Sequence, residues 1–261
     1  MRHSDRPWLV VTGGFGRVAR VVVPRLAASH RIHVVDRAGK PTTFEPDAVS
    51  LGEASDPALL RTAMDGAAAV LHLAADPSPR SPWSSAVGNL DLARSVLDAA
   101  AAASVPRIVI ASSVHASGGD YRFGATPVRT DTLARPCCEY GVGKAAVEAL
   151  ARLRHDETGA SVRLIRFGLT GWDPVSRGLA QTWFGDDDAA SLVAACLRAG
   201  PGFGVYHGVS RFASAYWDVS NARPDLGWAP MQDLPVSYES LSTRTTANCA
   251  LFEPPPRAAA R

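Results

Sequence analysis

Cysteine is scarce, and where it occurs it forms no recognisable pattern. The four cysteines, Cys137, Cys138, Cys196 and Cys249, show no metal-ligand spacing, and adjacent Cys137 and Cys138 suit a disulfide poorly. No metal site and no disulfide framework are therefore expected. Long hydrophobic runs are missing too: no stretch reaches membrane-spanning length, and Met1 to Pro7 is polar and charged where a secretory leader would be apolar. Neither sign of charge dominates, and a formal net charge of +2 gives no reason to expect nucleic acid or an anionic membrane as partner. Internal repeats and low-complexity linkers are absent. What these absences leave is a soluble cytoplasmic globule, and 261 residues suffice for one large α/β domain with a small appendage.

What is present is a regular alternation. Trp8 to Thr12 is a short β-rich apolar run of the kind found in buried parallel strands. It leads into Gly13-Gly14-Phe15-Gly16-Arg17-Val18-Ala19, which opens a helical pattern through Ala28. A strand, a glycine turn and a helix N-terminus present backbone N–H groups and a dipole to a pyrophosphate; a loop without a ligand is the plainer alternative. Pro24 predicts a kink near Arg20. A second strand, 31–36, ends in Asp36. A carboxylate there accepts from the adenosine ribose hydroxyls and repels a 2′-phosphate, which favours NAD over NADP. Arg37 follows and could stack on adenine or bind that phosphate, and an acid capping the next turn is the structural alternative.

A third strand is expected over 49–53, with Glu53 and Ala54 or Asp56 near the adenine, then a helix over 58–64 and a fourth strand over 69–73. Ala74 and Ala75 are small enough for a cofactor to lie over that strand's end. Pro77 to Pro82, with Ser78, is a loop at the carboxyl edge. A long helix over 83–103 carries a stripe including Val87, Leu90, Val96 and Leu97, with Asn89 as an unusual polar member. A fifth strand over 107–111 delivers Ser112 and Ser113 to the same edge; loop follows to Pro136, then a helix over 140–157 and a sixth strand over 161–167. Such alternation predicts a Rossmann-type doubly wound parallel sheet. We expect it over residues 1–168, with a smaller substrate-side region and tail over 169–261. That region should hold a helix over 186–199, a strand over 204–209, then loops with a short helix near Tyr238 and a fraying tail from Glu253.

Tyr140 and Lys144, four residues apart on a helix, lie on one face. An ammonium near a phenol favours the phenolate, so Tyr140 is expected to ionise below its usual value of about 10. A solvated chance pair is the bland alternative.

Taken together, TGGFGRVA, HLAA, NLDLARSVLDAA, IVIASSVH and YGVGK resemble, in order and spacing, the extended short-chain dehydrogenase/reductases of the NAD-dependent epimerase/dehydratase type. The likeness spans roughly residues 8 to 230 and is greatest to uronate dehydrogenases, as Thr182-Trp183-Phe184 with Asp186-Asp187-Asp188 and Tyr216-Trp217-Asp218 suggest. The resemblance implies a catalytic set of Ser113, Tyr140 and Lys144. Tyr140 would exchange a proton with the substrate, Ser113 would orient the reacting oxygen, and Lys144 would tune the phenol and hold the nicotinamide ribose. NAD would lie against Gly13, Phe15, Gly16, Arg17, Val18, Asp36, Arg37, Glu53, Ala54, Leu73, Ala74, Ala75, Asn89, Ala111, Tyr140, Lys144 and Phe167. Ser78, Ser113, Val114, His115, Tyr140, Leu169, Thr170 and Arg177 would face a small-molecule substrate, and relatives suggest a homodimer or larger homo-oligomer. Phe252 would close over a cofactor or pack on its own surface.

The chain departs from uronate dehydrogenases in three places. Val114 replaces an asparagine and Leu169 a serine, and the carboxylate-binding arginine aligns on Gly178, beside Arg177. The implied chemistry is interconversion of a secondary alcohol and a ketone, or a lactol and a lactone, on a sugar-like, uronate-like or nucleoside-like substrate. A sugar epimerase or dehydratase using NAD transiently, and a non-catalytic NAD(H) sensor, are the alternatives.

Overall fold

The structure, a computed structural model, describes residues 5–39, 43–244 and 250–252. In chain order the elements are β1 (Trp8–Thr12), α1 (Arg17–Leu26), β2 (Arg31–Asp36), β3 (Ala48–Leu51), α2 (Pro57–Met64), β4 (Ala69–His72), α3 (Trp83–Ala102), β5 (Arg107–Ser113), α4 (Gly118–Arg122) and α5 (Glu139–Thr158). After these come β6 (Ser161–Phe167), β7 (Leu169–Thr170), α6 (Arg177–Ala180), β8 (Trp183–Phe184), α7 (Asp186–Arg198), β9 (Phe203–Gly208) and α8 (Ala222–Leu226). Seven strands form one sheet in the order β3-β2-β1-β4-β5-β6-β9. Every pairing in it is parallel. The order reverses between β1 and β4, which opens a crevice at the carboxyl ends of those strands.

Helices cover both faces. α1 and α7 close one core with Val22, Val23, Leu26, Leu192 and Val193 against Leu9, Val11 and Ile165. α2, α3 and α5 close the other with Leu60, Met64, Val96, Leu97 and Val147 against Val10, Ile108 and Leu164. The first core crosses residue 168, and β9 pairs with β6, so the expected boundary there divides no hydrophobic body. The two-stranded β7–β8 pair stands apart from the main sheet.

Several boundaries differ from expectation for local reasons. β3 ends at Leu51, and the Asp56 carboxylate accepts from the Ala58 and Leu59 amides to start α2 at Pro57. The expected loop after β5 contains a single-turn 3₁₀ helix, Val114–Ala116, and α4. On α3 the buried face is Ala86, Asn89, Ala93, Val96, Leu97 and Ala100, whereas Val87 is 39% exposed, so that part of the expected stripe is corrected. Alanines serve because α5 lies close: a Cβ at Gly143 would come within 2.9 Å of the Ala86 carbonyl. In α1, Pro24 has no N–H to give the Arg20 carbonyl, and the Thr43 hydroxyl donates to that oxygen at 3.1 Å.

Under the carboxyl edge lies a buried ionic network. Glu148 of α5 accepts from Arg166 of β6 at 2.8 and 2.7 Å and from the Ser112 hydroxyl of β5 at 2.5 Å. Arg166 also donates to the Ser117 hydroxyl at 3.2 Å. A charge this deep is tolerable only because each partner is present; removing one leaves the other uncompensated, at a cost of about 3–5 kcal/mol. Glu148→Ala should therefore lower the free energy of unfolding by that amount, and denaturant titration giving a loss under 1 kcal/mol would show the network to be dispensable.

His72 and His207 are also buried, and both are pushed down to about 3, chiefly by burial. His207 gives its Nδ1 hydrogen to the Asp218 carbonyl at 2.9 Å, and His72 Nδ1 meets the Thr12 hydroxyl at 2.7 Å. Unfolding returns each to about 6.5, so between pH 6.5 and 3 the unfolded state binds more protons and stability falls as pH falls. Between pH 6.5 and 5 each histidine accounts for about 2 kcal/mol. A His207→Gln chain should lose less stability than wild type over that interval, as read by thermal melts; an unchanged pH slope would remove His207 from acid sensitivity.

Candidate active site

Alternation along β5 sends neighbouring serines to opposite duties. Ser112 goes down to Glu148, while the Ser113 hydroxyl lies on the Tyr140 side and favours the ionised phenol. Tyr140 stands in the first turn of α5, with Lys144 one turn on and Glu148 one turn further. Tyr140 and Lys144 are both buried, at 8% and 5% exposure. The Lys144 ammonium donates to the Ala111 carbonyl at 2.7 Å and lies 5.7 Å from the Tyr140 ring centre.

The electrostatics correct the simple expectation of an acidified phenol. Burial raises the Tyr140 phenol above its ordinary range; Cys138 and Asp76 push the same way, and the Ser113 hydroxyl opposes. Burial also pushes Lys144 down to about 8, against the pull of Glu148. Desolvation outweighs the neighbouring cation, whose N–H is aimed at the strand carbonyl. In this state Tyr140 is a held proton donor.

Beside this set, a cleft of about 610 Å³ opens over the ends of β1, β2 and β4. Gly13, Gly16, Asp36, Arg37, Glu53, Ala54, Leu73, Ala74, Ala75 and Asn89 all line it. Gly13 has φ +69°, and a Cβ there would lie 2.7 Å from the Ala74 nitrogen, so the turn requires glycine twice over. Asp36 accepts from the Phe15 amide at 2.9 Å and the Arg37 amide at 2.8 Å, which fixes its carboxylate at the rim. Five other expected cofactor residues have different surroundings. Phe15, Val18 and Phe167 pack in or against the core, Arg17 lies over the Trp172 ring at 3.0 Å, and Ala111 offers its carbonyl to Lys144. Asn89 grips the Asp76 backbone, accepting from its N–H at 2.8 Å and donating to its carbonyl at 2.9 Å. Asp76 in turn accepts from the Ser78 amide at 3.1 Å and the Ser81 hydroxyl at 2.6 Å. Ser81 and the other donors hold the Asp76 carboxyl below its usual value. Its place at the cleft went unnoticed in the sequence, although Asp76-Pro77-Ser78 is a turn signal.

On the substrate side, the His115 ring meets the Tyr140 ring edge-on at 5.7 Å. Gly141 permits this, since a Cβ there would strike the His115 carbonyl at 2.3 Å. The His115 Nδ1 lies 3.2 Å from Cys137 Sγ and 3.5 Å from Cys138 Sγ, a grouping that residue spacing did not foretell. Val114, expected to face substrate, is buried with Val128, Val209 and Trp217 in a satellite core. Leu169 and Thr170 form β7, where the Leu169 amide donates to the Thr182 carbonyl at 2.7 Å and the Thr170 hydroxyl to the Gly168 carbonyl at 3.2 Å. Arg177 is drawn toward the C-terminal segment: its guanidinium donates to the Glu239 carbonyl at 3.2 Å and lies 5.2 Å from the Tyr238 ring centre. The structure does not bring it to Ser113 or Tyr140 by any described contact. Phe252 packs edge-on against Tyr121, on the chain's own surface. Cys249 and the tail from Glu253 lie outside the described residues.

Known proteins agree with this arrangement. Residues 9–170 match the NAD dependent epimerase/dehydratase family. The chain is 33% identical over 249 residues to an NAD-dependent glucose-6-phosphate dehydrogenase of Haloferax volcanii, covering 88% of this chain and 94% of that one. It is 32% identical over 242 residues to a uronate dehydrogenase of Agrobacterium fabrum, covering 91% and 89%. The crystal structure of uronate dehydrogenase from Agrobacterium tumefaciens superposes with a TM-score of 0.78 at 30% identity, over 87% of this chain and 85% of that one. A variant of that enzyme complexed with NAD gives 0.79 at 29% identity, over 87% and 86%. With a reversing parallel sheet, a glycine turn under a crevice and a buried Ser113, Tyr140 and Lys144 at its edge, this chain belongs to the NAD-dependent epimerase/dehydratase family.

Proposed function

We propose that the protein is an NAD-dependent oxidoreductase that interconverts a secondary alcohol and a ketone, or a lactol and a lactone, on a sugar-like substrate. The observation that carries this reading is the burial of Ser113 and Tyr140 together, with Lys144 one turn away, at the carboxyl edge beside the cleft. Relatives named as glucose-6-phosphate, uronate and L-arabinose dehydrogenases support the substrate class.

The cleft residues fit NAD. Gly13 and Gly16 line the cleft and bring it against the uncapped α1 N-terminus, which suits a pyrophosphate, and Asp36 at the end of β2 suits two ribose hydroxyls. NAD supplies the hydride acceptor or donor and, when oxidised, a positive charge that favours the phenolate. The remaining steps belong to the chain. Ser113 orients the reacting oxygen; Tyr140 protonates it in reduction and, as phenolate, accepts its proton in oxidation. Lys144, at about 8, donates to the Ala111 carbonyl one helical turn from the phenol.

The contacts of Arg177 with Glu239 and Tyr238 favour a hydroxyl-rich neutral substrate over a hexuronate. A carboxylate is best held by a guanidinium fork, and this one is turned elsewhere. We place the protein in the cytoplasm, where Cys137, Cys138 and Cys196 stay reduced. No described helix is long and apolar enough to cross a membrane. Trp83 and Val87 on α3, with Val142 and Leu153 on α5, are exposed apolar groups that suit a homodimer formed through these two helices.

Tyr140→Phe should lower turnover at least about a hundredfold while the NAD dissociation constant changes little, as measured by NADH absorbance and calorimetry. Turnover within threefold of wild type would exclude Tyr140 from proton transfer. Asp36→Ala should raise the NADP-to-NAD ratio of kcat/KM, since the repelling carboxylate is gone. A wild-type enzyme that already prefers NADP would overturn the assignment of Asp36.

A further inference from the structure

Two adjacent thiols and an imidazole converge beside the Tyr140 ring without any role in the proposed proton transfer. Cys138 is the residue that opens α5, with extended backbone at φ −162° and ψ 169°, and Cys137 precedes it. His115 comes from the 3₁₀ turn after β5. The pairing is built by the fold: the Cys137 amide donates to the His115 carbonyl at 3.3 Å, and the glycine at 118 leaves the space that Cys137 fills, since a Cβ there would lie 2.7 Å from Cys137 Sγ. Among the described residues, this is the one group of three whose ligand atoms all lie within 4.8 Å of one another.

Those separations are the edges of a metal tetrahedron. With Zn–S near 2.3 Å and Zn–N near 2.0–2.1 Å, tetrahedral angles place nitrogen and sulfur about 3.5 Å apart and two sulfurs about 3.8 Å apart. The observed Nδ1–Sγ distances are 3.2 and 3.5 Å. We propose that His115, Cys137 and Cys138 form a binding site for a thiophilic divalent cation such as Zn²⁺, and that its occupation blocks substrate from reaching Tyr140.

Three protein ligands leave a fourth position for water, as in open zinc sites. Binding forms one Zn–N and two Zn–S bonds, and the protons of the thiols leave to solvent with no change in oxidation state. The inhibition follows from position. The His115 ring stands 5.7 Å from the Tyr140 ring, so a cation on its Nδ1 ties up the imidazole and adds a bound water beside Tyr140. It leaves Gly13, Asp36 and the rest of the dinucleotide cleft untouched.

The binding half stands on geometry alone; the inhibition half rests on the oxidoreductase assignment, and the two fail separately. Full-length protein freed of metal with EDTA should take up one equivalent of Zn²⁺ with micromolar or tighter affinity in a competition with a chromophoric chelator. Cd²⁺ should produce a thiolate-to-metal absorption band, a readout that needs no variant and no turnover. Cys137→Ser/Cys138→Ser, checked for native circular dichroism, should bind Zn²⁺ at least tenfold more weakly and lose the Cd²⁺ band. One equivalent of Zn²⁺ should raise the apparent KM for substrate at least fivefold, leave NAD binding within twofold, and be reversed by EDTA. No uptake, no Cd²⁺ band, or equal uptake by the double variant overturns the site; stoichiometric uptake with unchanged KM overturns the inhibition and leaves the site standing.

Discussion

One buried carboxylate sets the geometry of the reactive edge. Glu148 is shared between Arg166 of β6 and Ser112 of β5, so a single anion on α5 is bolted to two adjacent strands. Tyr140 and Lys144 ride on the same helix, two turns and one turn earlier, and Ser113 is the next residue after Ser112. Any slip of α5 along the sheet would separate a carboxylate from a guanidinium inside a low-dielectric interior. The relative placement of serine, tyrosine and lysine is thus inherited from an ion pair that never touches a substrate.

Desolvation then decides the proton chemistry of that edge. A cation one helical turn from a phenol lowers its pKa when both see water, but here both are enclosed and burial acts on each separately. Tyr140 holds its proton more firmly and Lys144 less so. The same enclosure keeps His72 and His207 neutral. Ala111, through its carbonyl, gives the ammonium the partner that water would otherwise provide.

Much of this was legible in the residues. Period-two apolar runs and the glycine turn placed all six strands through Phe167, and β9 fell within one residue of the expected strand. The lining of the cleft followed from fold class, because crevice residues in a parallel sheet come from strand ends. What could not be read depended on distant partners. Arg177 looked available until Glu239 and Tyr238 claimed it, Val114 looked like a pocket wall until Trp217 covered it, and Glu148 was one more acid on a helix until Arg166 met it. Phe15 and Phe167 are buried in the core and Val18 packs against it. Cys137 and Cys138 carry no spacing signal toward His115, since the 22-residue and 23-residue separations close only in three dimensions.

The burial of Lys144 has a consequence for how the whole molecule carries charge. The sequence contains only two lysines, Lys40 and Lys144, so nearly all of its 27 basic side chains are arginines. Guanidinium groups stay ionised across the accessible alkaline range. The outer coat of positive charge is accordingly blind to moderate alkali, while the one amine among the described residues, at about 8, responds to it from the buried edge of the sheet. Alkalinity reaches this buried edge before it reaches the positive surface.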